Sequence, residues 1–187
     1  MTRRIGIIAI SRWFAKKPRQ KEVLMLPLVA LGLMIYCIIV SAINIAVLGQ
    51  DVVSLGMALK PENAFIPWNM FVAIVASPSW EEVVFRVLPL GFAIFLSQAG
   101  MKRFILILTT LIFSSVAFGL THGAVHNLPM QGVVGFCFGL IFLKWALPAR
   151  DPWAGISKGA LAVMCTHGMY NALMLALTAI AMVATTS

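Results

Sequence analysis

A chain of 187 residues that is 61% hydrophobic and only 11% charged is not an ordinary soluble domain, in which about a quarter of residues are charged. The net charge of +8 would by itself suggest nucleic acid. However, Arg3, Arg4, Arg12, Lys16, Lys17, Arg19 and Lys21 crowd the start, just before a long apolar run, so the positive-inside rule accounts for them and nucleic-acid binding is set aside.

In chain order, residues 1–22 interleave those basic residues with Ile5, Ile7, Ile8, Ile10, Trp13 and Phe14, and read as a basic amphipathic segment on the membrane surface or as a solvated tail. From 23 onward a single membrane domain runs to 187. Its apolar runs are 23–48, 64–78, 83–98, 104–121, 131–147 and 156–184. A hydrocarbon core of roughly 30 Å needs about 20 helical residues. Long runs without alternation favour helices over a closed barrel. The expected fold is therefore all-α, a polytopic membrane bundle of about five to six transmembrane helices. The first run is too long for a signal-peptide core and predicts an uncleaved helix. Cys37, Cys137 and Cys165 stand apart within apolar runs and imply neither a disulfide framework nor a metal spacing.

A polar-leaning connection spans 49–63, and short Gly- or Pro-bearing turns follow at 99–103, 123–130 and 148–155. Ser77-Pro78-Ser79 reads as a helix start, with Ser79 and Glu82 at capping-box spacing. Helices over 79–98 and 104–121 would then form an antiparallel pair. Lys102, Arg103, Lys144, Arg150 and Lys158 fall toward the end opposite Glu81 and Glu82. The positive-inside rule puts the glutamate end away from the cytoplasm if run 64–78 does not span, and the assignment inverts if it does.

Two carboxylates in such a setting need a reason, because ionisable groups at bilayer depth are costly and mark buried partners or water-filled sites. Residues four apart share a helix face. Glu82 and Arg86 are thus expected as an ion pair, whether structural or functional, while Glu81 points elsewhere. Phe118 and His122 are also four apart. At the depth of Glu81, His122 would share a water with it as acid–base partner; alone it reads as a histidine capping helix-end carbonyls. His167 and Asn171, four apart in the last run, serve either as interhelical glue or as donors to an oxyanion. His126 follows His122 by four residues, but the glutamate of a zinc-binding His-Glu-x-x-His helix is missing and Gly123 weakens the helix. A divalent metal held by these histidines and Glu81 is the lesser alternative to a site without cofactors.

Taken in order, Glu-Glu-x-x-x-Arg at 81–86, Phe-x-x-x-His at 118–122 and His-x-x-x-Asn at 167–171 resemble the signature of the type II CAAX prenyl endopeptidases. These are also called the CAAX protease and bacteriocin-processing (CPBP, or Abi) family. The resemblance covers a core at about 75–175. It implies a glutamate-type intramembrane endopeptidase. In that reading Glu81 and His122 activate water, His167 and Asn171 hold the oxyanion, and Glu82, Arg86 and Phe118 support them. It implies a peptide or protein substrate met at the lipid bilayer, and an integral protein of the plasma (inner) membrane of a prokaryote. No metal is called for, and the oligomeric state stays open. The competing readings are a non-catalytic scaffold or bacteriocin-immunity protein on the same fold, and an ion or metal transporter.

Overall fold

The computed structural model describes residues 14, 16–49, 63, 65–98, 103–123 and 125–186. Of the basic segment expected at 1–22, only Phe14 and 16–22 fall within that set. The described residues form five long helices and no strand. These are α1 (Gln20–Leu48), α2 (residues 67–98), α3 (Arg103–Thr121), α4 (Val125–Ala146) and α5 (Pro152–Thr186). Four of them, α1, α3, α4 and α5, are long and apolar enough to cross a membrane. The fifth, α2, is as long but carries Glu81, Glu82 and Arg86. Large apolar side chains such as Phe92, Phe113 and Val183 lie exposed on the outer surface, as lipid-facing positions do and as the surface of a soluble monomer does not. The chain is an all-α membrane helix bundle.

One expectation needs correction. Run 64–78 is not a separate element, and no helix begins at Ser79. The helix runs unbroken from 67 to 98, and the Ser79 hydroxyl donates back to the Val75 carbonyl instead of capping Glu82. Proline explains both the misreading and its resolution. Pro78 and Pro89 have no N–H to offer a carbonyl four residues earlier, and such prolines normally break a helix. Here α2 widens into π-turns at Val72–Ala76 and Val83–Val87, just ahead of each proline.

The backbone groups released in this way are recovered by neighbouring helices, as membrane helices require. Asn171 Nδ2 donates to the Ala73 carbonyl at 2.7 Å. The Ser114 hydroxyl donates to the carbonyl of Phe85, four residues before Pro89. Gly168 packs so closely on the Ile74 carbonyl that an added Cβ would lie 2.6 Å from it. A third π-turn, Leu128–Gly132 in α4, is met the same way, by the Tyr36 hydroxyl donating to the Pro129 carbonyl at 2.5 Å. Ser114→Ala should therefore orphan a part-buried carbonyl. We expect a loss of about 1–3 kcal/mol, read as a lower melting temperature of the purified protein, with Ser114→Thr retaining most of the stability.

The core lies where α2, α3, α4 and α5 meet, around Leu90, Leu111, Val134, Phe138, Phe142 and Val163. Small residues let the helices approach closely, as in other membrane bundles. A Cβ on Gly119 would stand 2.9 Å from the Gly132 nitrogen, and one on Gly159 would stand 2.7 Å from the Phe142 carbonyl.

Candidate active site

Glu82 and Arg86 are the most deeply buried charges, both wholly inaccessible, and they pair across one turn of α2 with Arg86 Nε 3.3 Å from Glu82 Oε2. Two further contacts hold the guanidinium. It donates from Nη2 to the Gly135 carbonyl at 3.0 Å, and it lies 4.2 Å from the centre of the Phe118 ring. That position also depends on Gly135 being glycine, because a Cβ there would meet Arg86 Nη2 and Phe118 Cδ1 at 2.8 Å. The expected ion pair is present, and Phe118 supports it as a π-face for the cation.

The other Glu82 oxygen, Oε1, accepts from His167 Nδ1 at 2.8 Å. A carboxylate oxygen can only accept, so His167 carries its proton on Nδ1 and turns Nε2 the other way. The ring is held between Phe138, with centroids 4.6 Å apart, and Phe118 at 6.0 Å. His122 is oriented by the same logic. Its Nδ1 donates to the Phe118 carbonyl at 2.8 Å, and its ring lies 4.4 Å from the Phe118 ring. The helix-end capping read from sequence is thus real at Nδ1, and it leaves Nε2 for other work.

Both Nε2 atoms face Glu81. Its Oε2 lies 3.6 Å from His122 Nε2 and 3.8 Å from His167 Nε2. Its Oε1 accepts the Ser77 hydroxyl, one turn earlier on α2. Glu81 Oε2 is buried and makes no direct hydrogen bond. Three acceptor atoms from three helices therefore surround one point, at separations suited to a small hydrogen-bonding species between them. This is also the accessible part of the cluster: the Glu81 and His122 side chains are 20% and 30% exposed, while Glu82 and His167 are buried.

The structure brings together Glu81, Glu82, Arg86, Phe118, His122 and His167. Asn171 lies one turn beyond His167 on α5 and spends one amide hydrogen on Ala73; an amide nitrogen has two. His126 does not join them. The chain turns at Gly123, with φ of +125°, and the carbonyl of His126 accepts from Asn44 of α1. Among the described residues, no group of three or more His, Cys, Asp or Glu side chains is arranged to hold a metal ion. Sequence reasoning missed Ser77 as a partner of Glu81, although its spacing of four was visible, and it missed Gly135 and Phe138, which only the packing reveals.

The carboxylate–histidine cluster thus lies inside a membrane helix bundle. The family described as type II CAAX prenyl endopeptidase Rce1-like matches residues 63–173. That stretch is more than half of the chain and contains every residue of the cluster, and the chain belongs to this family. Neither a curated protein nor a solved structure matches it.

Proposed function

We propose that the chain is an intramembrane endopeptidase in which Glu81, with His122, activates a water molecule against a peptide carbonyl. The observation that carries this reading is the convergence of Glu81 Oε2 with Nε2 of His122 and of His167. Water held between Glu81 and His122 gives a proton to the carboxylate as its oxygen bonds to the carbonyl carbon. The resulting oxyanion receives hydrogen bonds from His167 Nε2 and from the second amide hydrogen of Asn171. His167 can donate there when protonated, because Glu82 already accepts from its other nitrogen and offsets the positive charge. Collapse of the tetrahedral intermediate breaks the C–N bond, and the acquired proton passes to the leaving amine. Fixed donors in a site shielded from bulk water are commonly worth several kcal/mol of transition-state stabilisation.

We propose that no metal takes part, in keeping with a donor set whose remaining atoms are engaged by Glu82, Phe118 and Ser77. The test is a comparison of protein termini in cells expressing wild-type chain or Glu81→Ala, followed by cleavage of an identified substrate by purified protein with and without a strong chelator. New termini should arise only with wild type, and cleavage should persist in chelator. Identical termini in both cells would favour the scaffold reading. Chelator-sensitive cleavage restored by a divalent ion would refute the metal-free step.

A further inference from the structure

His122 stands just past the last residue of α3, where the helix no longer fixes it. Its N–H reaches back to the Gly119 carbonyl only at 3.4 Å. The next residue, Gly123, has φ of +125° and, as glycine, restrains the backbone least of all residues. The ring nevertheless presents Nε2 to Glu81 Oε2 across 3.6 Å, so a restraint has to come from elsewhere in the bundle.

It comes first from the start of α4. Asn127 is 5% exposed, and its Nδ2 donates to the His122 carbonyl at 2.7 Å. Residues 125–130 are themselves weakly supported by local backbone bonds, since they pass from a 3₁₀ turn into a π-turn and Pro129 has no N–H. Three side chains of α1 grip them. Asn44 Nδ2 donates to the His126 carbonyl at 3.2 Å, the Tyr36 hydroxyl donates to the Pro129 carbonyl, and the Ser41 hydroxyl donates to Met130 Sδ at 3.2 Å. The first two bonds bracket Asn127 in sequence. Next to Tyr36, Cys37 Sγ accepts the hydroxyl of Tyr170 at 3.1 Å, and Tyr170 lies three residues after His167 on α5. Helix α1 therefore ties the segment that holds His122 to the helix that carries His167.

We infer that α1 is a positioning element of the site: Tyr36 and Asn44 fix residues 125–130, and Asn127 passes that restraint to His122. Helix α1 precedes the family-matched stretch 63–173, so the site draws on residues outside it. The catalytic consequence rests on the peptidase reading; the restraint on His122 does not. If these bonds were only interhelical glue, losing them would loosen the bundle evenly instead of moving one histidine.

The chain has three histidines, so isotope labelling of histidine in the purified full chain resolves His122, His126 and His167 by nuclear magnetic resonance, with assignment by single substitution. In Tyr36→Phe/Asn44→Leu the imidazole nitrogen signals of His122 should shift and broaden. Those of His167, held by Glu82 and Phe138, should keep their positions. On an identified substrate kcat should fall about 10- to 100-fold with KM held, the size of effect that a misplacement of about 1 Å can have. Ile39→Ala, on an exposed side of α1, should change neither. Where the double variant inserts poorly, Tyr36→Phe alone removes one hydroxyl, keeps the ring and makes the same comparison. Unmoved His122 signals, an equal shift of His122 and His167, or an undiminished kcat overturns the inference. The spectra need no cleavage, so a wild-type chain without turnover would refute the peptidase reading and leave the positioning to be decided by the histidine signals.

Discussion

Glu81→Gln is expected to lower peptide-bond cleavage by about 10²–10⁴-fold, the usual span for loss of a general acid–base group. The substitution keeps the shape of the side chain and an oxygen that can accept from Ser77, but it removes the basic oxygen facing the two histidines. Stability should fall by less than about 1 kcal/mol, the net value of an ordinary hydrogen bond, because Glu81 is partly exposed and has no cationic partner as close as the one Glu82 has in Arg86. His122→Ala should lose cleavage comparably. Kinetics on an identified substrate and thermal melts of the same preparations separate the two effects. A Glu81→Gln protein that cleaves at the wild-type rate would remove the basis for the mechanism.

Arg86→Met carries the second large effect, and it is one of stability. The substitution leaves the inaccessible Glu82 carboxylate without its cation and vacates the space between Gly135 and Phe118. Breaking a buried ion pair from one side costs about 3–5 kcal/mol, because the remaining charge is uncompensated. Removing both charges should cost less than the sum of the two single changes, since the groups act as a unit. Thermal melts of Arg86→Met, Glu82→Gln and the double variant provide the comparison. Additive losses would show that the pair is not coupled as the geometry requires. Cleavage should decline in Arg86→Met as well, because Glu82 also orients His167.

Much of this arrangement is legible in the sequence because helical spacing is. The intervals 81–86, 118–122 and 167–171 identify helix faces, and the division of Glu82 from Glu81 follows from about 100° of rotation between neighbours. The break expected near Ser77 shows where such reading stops. Pro78 signals a helix start locally, yet a π-turn before it and helix α5 beside it let α2 continue. That outcome depends on Asn171 and Gly168, nearly a hundred residues away, which no local pattern can supply. Gly135 is similarly unremarkable in sequence; its role exists only because a guanidinium lies against it. His122 and Asn171 each satisfy the modest reading and leave room for the chemical one, because a ring with two nitrogens and an amide with two hydrogens can serve a backbone carbonyl and still present a second group.

In the proposed mechanism adjacent glutamates divide the labour, Glu82 for structure and Glu81 for chemistry. The most direct measurement sets purified Glu81→Gln beside Glu82→Gln and reads melting temperature and cleavage on both. Glu81→Gln should melt near the native temperature without cleaving, and Glu82→Gln should show a marked fall in melting temperature. A Glu81→Gln protein that melts early and still cleaves, beside a Glu82→Gln protein of native stability, would contradict that division.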